Sequence, residues 1–218
     1  MLLSRITLHT SNLGRTLDFY ENTLGLTLAE CPSERLTFTV GRSRLVFLPS
    51  RRGRAPFYHL AFSVAHHQFE AAVAWLEQRT AILPFCGDHR IAEFPTWEAR
   101  AVYFHDPDGN ILELIARQAL PAAPTPRFVR TPIVGLSEIG LVADDVALAC
   151  QALHEHYGVP YFARGPYLRD FAAMGDDEGL FIVCQTGRGW WPTLRPAERH
   201  PLEVAIEREG VASRFQLA

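Results

Sequence analysis

The chain has 218 residues, of which 48% are hydrophobic, so it is long enough to bury one sizeable core or two small ones. A formal net charge of −3 argues against a nucleic-acid or anionic-membrane partner, and no apolar run approaches the roughly 20 residues that a membrane span needs. All 21 basic residues are arginines, which excludes Schiff-base chemistry, a lysine nucleophile and a P-loop.

The start of the chain and its cysteines indicate where the protein resides. The first residues pass directly into a predicted strand and lack the basic and apolar regions of a signal peptide. The four cysteines are widely spaced and form no Cys-x-x-Cys pair. We therefore expect a cytoplasmic protein without a disulfide framework or a zinc knuckle.

The first fifty residues predict the order strand, helix, strand, strand, strand. Residues 6–10 form a short strand, and Asn12 is placed to cap a helix over residues 13–24, which Gly25 ends. Three further strands are predicted over residues 26–30, 36–40 and 45–48.

The same order recurs about 53 residues later, which indicates an internal duplication. A strand over residues 58–64 precedes a helix over residues 68–79. Further strands are predicted near residues 82–85, 100–104 and 110–115.

A third copy follows a Pro/Ala-rich linker. Its predicted elements are a strand over residues 137–143, a helix that begins after Asp145, further strands up to residue 185, and a last strand over residues 202–206. The predicted domains are a two-module domain over residues 1–117, a linker over 118–132, and a third module with a C-terminal strand over 133–218.

Residues 101–115 place one carboxylate at a defined position. Residues 106–109 read Asp-Pro-Asp-Gly, in which Pro107 presets φ and Gly109 supplies a positive φ, so they predict a turn between two strands. Glu113 then stands in the middle of an apolar strand. A carboxylate buried there needs an arginine or a metal as a partner, and otherwise it must face outward.

Three stretches resemble the vicinal oxygen chelate superfamily, which includes glyoxalase I, the extradiol dioxygenases, and the fosfomycin- and bleomycin-resistance proteins. They are residues 11–25, 59–62 and 103–113. The resemblance implies an α+β fold in which tandem βαβββ modules form a curved mixed sheet, shaped as a cup around a divalent metal. The implied cofactor is iron, manganese, zinc or nickel, held by ligands from the first and last strands of the modules and binding vicinal oxygens of a small-molecule substrate.

Carried over residue by residue, the resemblance places His59 and Glu113 at two metal-ligand positions and makes Tyr103 a proton donor. The first-module ligand lies eight residues before the start of the helix, and this position holds Arg5. His9 is the only nearby imidazole. It shares the strand face of Arg5 but lies ~13 Å further along, so it serves as the third ligand only after a register change. In the alternative, Arg5 pairs with Glu113 and the cup holds no metal.

The third module offers further polar residues. Glu138 lies eight residues before Val146, in the equivalent ligand position, and His200 precedes the last predicted strand. Together they hint at a second cup. We favour the alternative interpretation, in which Glu138 is an exposed glutamate and His200 is a loop histidine. Trp190 and Trp191 either close over a cup or cover a sheet edge, and we favour the edge.

Two functions follow from the resemblance. The first is a metal-dependent enzyme acting on a small oxygenated organic substrate, as a lyase or isomerase or as a ring-cleaving dioxygenase. Residues 94–97 lack the histidine that dioxygenases carry before the position of Tyr103, which weakens ring cleavage. The alternative is a metal-free small-molecule binding protein of the bleomycin-resistance type. The unpaired third module makes a homodimer a further expectation.

Overall fold

The computed structural model describes residues 1–50, 56–121 and 130–217. Most of the predicted linker, residues 122–129, lies outside the described residues. In chain order the elements are β1 (Leu2–Thr10), α1 (Leu13–Asp18), β2 (Thr27–Glu30), β3 (Leu36–Val40), β4 (Ser43–Pro49), β5 (His59–Val64), α2 (Phe69–Glu77), β6 (Ala92–Phe94), β7 (Ala99–His105), β8 (Ile111–Arg117), β9 (Ile133–Ala143), α3 (Val146–Tyr157), β10 (Phe171–Asp176), β11 (Gly179–Gln185), β12 (Gly189–Trp190), β13 (Arg195–Pro196), β14 (Leu202–Arg208) and β15 (Val211–Leu217).

Two large mixed sheets dominate the described residues. The first sheet has the strand order β15-β14-β1-β4-β3-β2, and the second has the order β10-β11-β9-β5-β8-β7-β6. In both sheets the first strands of two modules pair antiparallel at the centre, β1 with β14 and β5 with β9. The expected α+β fold of βαβββ modules in curved mixed sheets is confirmed.

The pairing of the modules differs from the expectation that the first two share one cup. The first module instead pairs with the C-terminal strands, and the second pairs with the third. Each module offers the free edge of its first strand, and an unpaired edge needs a partner. Because the repeated modules offer equivalent edges, their sequences do not specify which two will join.

Two of the helices, α1 and α3, begin at the predicted caps. The Asn12 side chain accepts a hydrogen bond from the Arg15 amide at 3.0 Å, and a π-helical turn over Phe19–Thr23 continues α1. The Asp145 side chain caps α3 in the same way, and Gly158 ends that helix with a φ of +64°. The strand predicted near residues 82–85 is wrong, because Ile82 forms only an isolated bridge and β6 takes the edge position.

One face of each sheet packs with the three helices into a shared apolar core. Its members include Ile6 and Leu8 from β1, Leu60 and Phe62 from β5, and Leu153 from α3, all of them buried. Since side chains alternate along a strand, the neighbouring residues point to the opposite, concave faces. No helix among the described residues is long and apolar enough to span a membrane.

The Asp-Pro-Asp-Gly turn between β7 and β8 joins the two sheets. The buried Asp106 carboxylate accepts hydrogen bonds from the Tyr20 hydroxyl at 2.9 Å and from the Asn110 side chain at 2.7 Å. Asp108 accepts a hydrogen bond from the Thr10 hydroxyl at 2.6 Å. Gly109 has the expected positive φ of +79°. The turn therefore holds the first sheet against the second.

We expect Asp106→Ala to lower the free energy of unfolding by about 2–3 kcal/mol, because it leaves buried donors on Tyr20 and Asn110 without their acceptor. Chemical denaturation measures this change. Asp88→Ala, at an exposed position, is the control and should leave stability within about 0.5 kcal/mol. An equal effect of the two substitutions would contradict the role assigned to the turn.

Candidate metal centre

Two carboxylates and one imidazole converge on the concave face of the second sheet. β5 lies between β8 and β9, and Ala61 on β5 is paired with Glu113 on one side and Glu138 on the other. His59 lies two residues before Ala61 and shares its face. Because the Ala61 side chain is small, both glutamates reach over it. One ligand atom from each of the three side chains lies within 4.8 Å of the other two.

All three side chains are buried, and their lone pairs face one another. His59 Nε2 lies 3.4 Å from a Glu113 carboxylate oxygen and 4.0 Å from one of Glu138. His59 Nδ1 lies 3.3 Å from the carbonyl oxygen of Ile111, which can only accept, so Nδ1 carries the proton. The Nε2 lone pair therefore points at the carboxylates, and a proton or a cation is needed between them.

Burial controls the protonation of this cluster. It lowers the pKa of His59 to about 4, so the imidazole is neutral near pH 7, as a metal ligand must be. Burial, together with the charge of Glu138, raises the pKa of Glu113 well above its ordinary value. Burial also raises the pKa of Glu138, although the Arg117 guanidinium opposes that shift. Two buried carboxylates thus compete for too little positive charge.

Among the described residues, Arg117 is the arginine that forms an ion pair with the cluster. Its guanidinium forms an ion pair with Glu138, and the side chain is only 1% exposed. It lies over the ring of Trp97, 5.3 Å from the centroid, and its Nε and Nη1 atoms have no hydrogen-bond partner among the described residues. One arginine offsets one glutamate, so the cluster keeps room for a further positive charge.

Tyr103 lies beside the cluster on β7, directly opposite Glu113 in the strand pairing. Burial is the main cause of a pKa raised well above its ordinary value, and the charges of both glutamates add to the shift. The phenol therefore keeps its proton at neutral pH and shares a hydrogen bond with Glu113. Its ring stacks on Phe85 with a centroid distance of 6.0 Å.

Trp190 covers the imidazole from the other side. Its ring centroid lies 5.1 Å from that of His59. A Cβ atom at Gly140 would lie 3.0 Å from the Trp190 ring and 3.2 Å from the Cβ of His59, so a glycine is needed for this close approach. Trp190 is buried, whereas Trp191 is 52% exposed at the mouth of the cavity. Both side chains line the cavity, Trp190 against the imidazole and Trp191 at the mouth.

The cluster lies at the base of a cavity of about 440 Å³. Aromatic side chains dominate its walls: Phe85, Phe94, Trp97, Tyr103, Phe171, Trp190 and Trp191. Arg164 and Arg188 also line the cavity, and each is held by an aspartate. The size and apolar walls suit a small organic ligand, and the polar groups at the base suit its orientation.

The structure brings together only some of the predicted site residues. His59, Glu113 and Tyr103 meet in this cavity. His9 does not join them, because it lies on β1 in the first sheet, where its Nδ1 contacts the carbonyl of Pro49 at 3.2 Å. Arg5 is also on β1 and lines a different cavity from Glu113, so the proposed pairing of those two residues is wrong.

Glu138 takes the place expected of the first-module ligand. The preference for an exposed glutamate is wrong, since Glu138 is 2% exposed. The rule that located Arg5, eight residues before a helix, also located Glu138, and only the burial of its side chain was misjudged. Arg117 was missed, although strand alternation from Glu113 places it on the same face.

A fourth ligand position is apolar. β8 lies beside β5 as β11 lies beside β9, so Glu113 corresponds to Ile182, which pairs with Gly140 two residues after Glu138. The site therefore offers two carboxylates and one imidazole. Such a set, with its buried excess of negative charge, fits a divalent cation with open coordination positions.

Comparison with known proteins identifies a family that the chain matches. Residues 2–114 match the model of the Glyoxalase/Bleomycin resistance protein/Dioxygenase superfamily. The chain is 28% identical over 118 residues to the metallothiol transferase FosB of Shouchella clausii, a match that covers 51% of this chain and 77% of the relative. FosB of Staphylococcus epidermidis is 25% identical over 117 residues, covering 51% of this chain and 81% of the relative.

A solved structure shares the fold over most of the chain. A proposed dioxygenase from Bacillus subtilis superimposes with a TM-score of 0.60 at 21% identity, covering 91% of this chain. The chain spans about two thirds (65%) of the length of that structure. Because the family model matches more than half of its residues, this chain belongs to the Glyoxalase/Bleomycin resistance protein/Dioxygenase superfamily.

Proposed function

We propose that the protein is a divalent-metal-dependent enzyme acting on a small oxygenated organic substrate. The observation that carries this proposal is the buried convergence of His59, Glu113 and Glu138, with ligand atoms within 4.8 Å of one another. The FosB relatives, which are named metallothiol transferases, support a role for a metal. With only one imidazole and two carboxylates, the cluster favours Mn²⁺ or Fe²⁺ over softer ions.

The metal would supply Lewis-acid activation of a substrate oxygen. The other tasks belong to the chain. Aromatic walls, Phe85 and Trp191 among them, bury the apolar part of the substrate and limit the access of water. Tyr103, held protonated and hydrogen-bonded to Glu113, donates a proton to a developing substrate oxyanion. His59 is fixed by the carbonyl of Ile111, which orients its free nitrogen towards the cluster.

Lyase, isomerase or group-transfer chemistry is favoured over ring cleavage within this proposal. Among the described residues that line the cavity, His59 is the only imidazole, and it is used as a ligand. No second histidine there takes the acid-base role that the dioxygenase resemblance requires.

Elemental analysis of protein purified without chelators tests the proposal. We expect about one Mn or Fe per chain in the wild type and loss of metal in His59→Ala, since removing one of three ligands costs orders of magnitude in affinity. His9→Ala is the matched control, because His9 lies in the other sheet and should leave the metal in place. No metal in the wild type after reconstitution, or equal loss in both variants, would overturn the assignment.

A metal-free binding protein is the second candidate, and the Arg117–Glu138 ion pair is the observation that favours it. The guanidinium neutralises one carboxylate within the cluster, and a proton on Glu113 would neutralise the other. The aromatic cavity would then sequester an apolar ligand, and quenching of Trp190 and Trp191 fluorescence by an aromatic compound in chelator-treated protein would report this binding. A homodimer and a cytoplasmic location stay predictions, and light scattering in solution tests the first.

A further inference from the structure

The concave face of the first sheet carries a second cavity, of about 290 Å³, which the proposed function does not use. It is built like the metal cluster. β1 lies between β14 and β4 as β5 lies between β9 and β8. Thr7 stands in the place of Ala61, paired with Glu203 on one side and Val46 on the other, and Arg5 lies two residues before Thr7 as His59 lies before Ala61. The same architecture thus carries a different set of charges.

Three arginines form one row across this sheet. Arg5 is paired directly with Arg44 on β4. On its other side Arg5 is paired with Ala205 on β14, which in turn is paired with Arg214 on β15. Like charges on directly opposed residues destabilise a sheet. Arg5 is exposed and Arg44 is half-buried, so water screens this repulsion in part, and a bound anion would relieve the remainder.

The carboxylates of the described residues balance only half of the arginine charge in this cavity. Four arginines and two glutamates line the cavity. Arg214 pairs with Glu203 at 2.5 Å, and Arg35 pairs with Glu30 at 2.7 Å. Among the described residues, neither Arg5 nor Arg44 has a carboxylate partner, and Arg44 donates only to the carbonyl of Ser43 at 3.2 Å. Two positive charges remain unbalanced.

We propose that this cavity, which we call the arginine cavity, binds a small phosphorylated molecule through Arg5 and Arg44. A guanidinium presents a planar fork of donors that matches two phosphate oxygens. Two unbalanced arginines match the double negative charge of a phosphate monoester better than the single charge of a carboxylate. A volume of about 290 Å³ limits the ligand to a small molecule.

Calorimetric titration with inorganic phosphate at constant ionic strength tests this proposal. The titration is performed on chelator-treated wild type and on His59→Ala, so that phosphate bound at the metal cluster does not contribute. We expect one saturable site in both proteins. Arg5→Gln and Arg44→Gln should each weaken binding at least about tenfold. Arg42→Gln is the matched control, since Arg42 precedes the same strand but does not line the cavity, and its affinity should equal that of wild type.

Three results would overturn the proposal. They are an effect of phosphate that chloride of equal ionic strength reproduces, an affinity unchanged in both Arg5→Gln and Arg44→Gln, and a phosphate site that disappears in His59→Ala. Acetate is titrated in parallel, and equal affinity for acetate would overturn the preference for a phosphoryl group. If a variant fails to fold, the arginine Nε–H signals in ¹⁵N spectra of the wild type decide: phosphate should shift two of them strongly, and uniform small shifts count against the site.

Discussion

Glu113→Gln is expected to abolish metal binding and, at the same time, to raise the free energy of unfolding of the metal-free protein by about 1–2 kcal/mol. Glu113 is a member of the buried cluster, so its loss removes a ligand. Its carboxylate is also held near that of Glu138 without a cationic partner of its own. A neutral amide of the same shape relieves that repulsion. Opposite changes in affinity and stability are typical of a functional residue and not of a structural one.

The pH dependence of stability gives the sign of this effect. Because the pKa of Glu113 is raised in the folded state, the unfolded chain releases its proton at a lower pH than the folded chain does. Stability of the metal-free wild type therefore falls as pH rises above the ordinary glutamate pKa of about 4.5. His59 acts in the opposite direction, with stability lost as pH falls from about 6.5 towards 4. Glu113→Gln should reduce the first of these losses, leaving the part that the raised pKa of Glu138 causes, and should keep the second.

Denaturation of chelator-treated protein across this pH range, together with metal titration, measures both effects. Glu93→Gln is the control, because Glu93 lines the same cavity at an exposed position and contacts Arg100 instead of the cluster. It should change neither metal affinity nor the pH profile. A metal-free Glu113→Gln protein less stable than wild type at neutral pH would show that the carboxylate is satisfied without a metal.

Arg117→Met should have the largest effect on stability of any substitution considered, lowering the free energy of unfolding by about 3–5 kcal/mol. Arg117 is buried and forms the one ion pair that the structure records for Glu138 with an arginine. Its removal leaves two carboxylates buried together, and the methionine side chain replaces the stem but not the charge. For a chain of this length the loss corresponds to a fall in melting temperature of roughly 6–20 °C.

Thermal unfolding of the chelator-treated variant measures this fall, and the double variant Arg117→Met/Glu138→Gln tests its cause. Removing the orphaned charge should recover much of the lost stability, as a double-mutant cycle requires for partners in contact. Arg90→Met, at an exposed ion pair, should change stability by less than about 1 kcal/mol. Equal losses in the single and double variants would assign the effect to packing against Trp97.

The sequence predicted what depends on local chemistry. Asn12 and Asp145 cap their helices as expected, because an N-cap needs only a side chain and the first turn of the helix. The resemblance to the vicinal oxygen chelate superfamily implied the positions of His59 and Glu113, because both residues stand within its local motifs. These features require no knowledge of which strands meet.

The predictions that were wrong depend on pairing between distant strands. Glu138 lies beside Glu113 only because β9 pairs with β5. Arg5 lies far from Glu113 only because β1 pairs with β14 in the other sheet. Nothing in the repeats distinguishes these pairings, because each first strand offers the same kind of edge. Small residues on the concave face, Ala61 and Gly140, carried a weak signal: they mark where other side chains must approach closely.

The pair formed by β5 and β9 lies, along the chain, between the two strands of the pair formed by β1 and β14, and this imposes an order of folding during synthesis. Leu2 on β1 pairs with Glu207 on β14, so the first strand meets its central partner only after about 200 further residues have been made. At 5–20 residues per second this delay is roughly 10–40 s on the ribosome. The second and third modules can close earlier, since β5 and β9 are much nearer in the chain. The aromatic cavity is therefore complete while the arginine cavity still lacks one wall, and during that interval β1 presents an open edge to any other nascent chain.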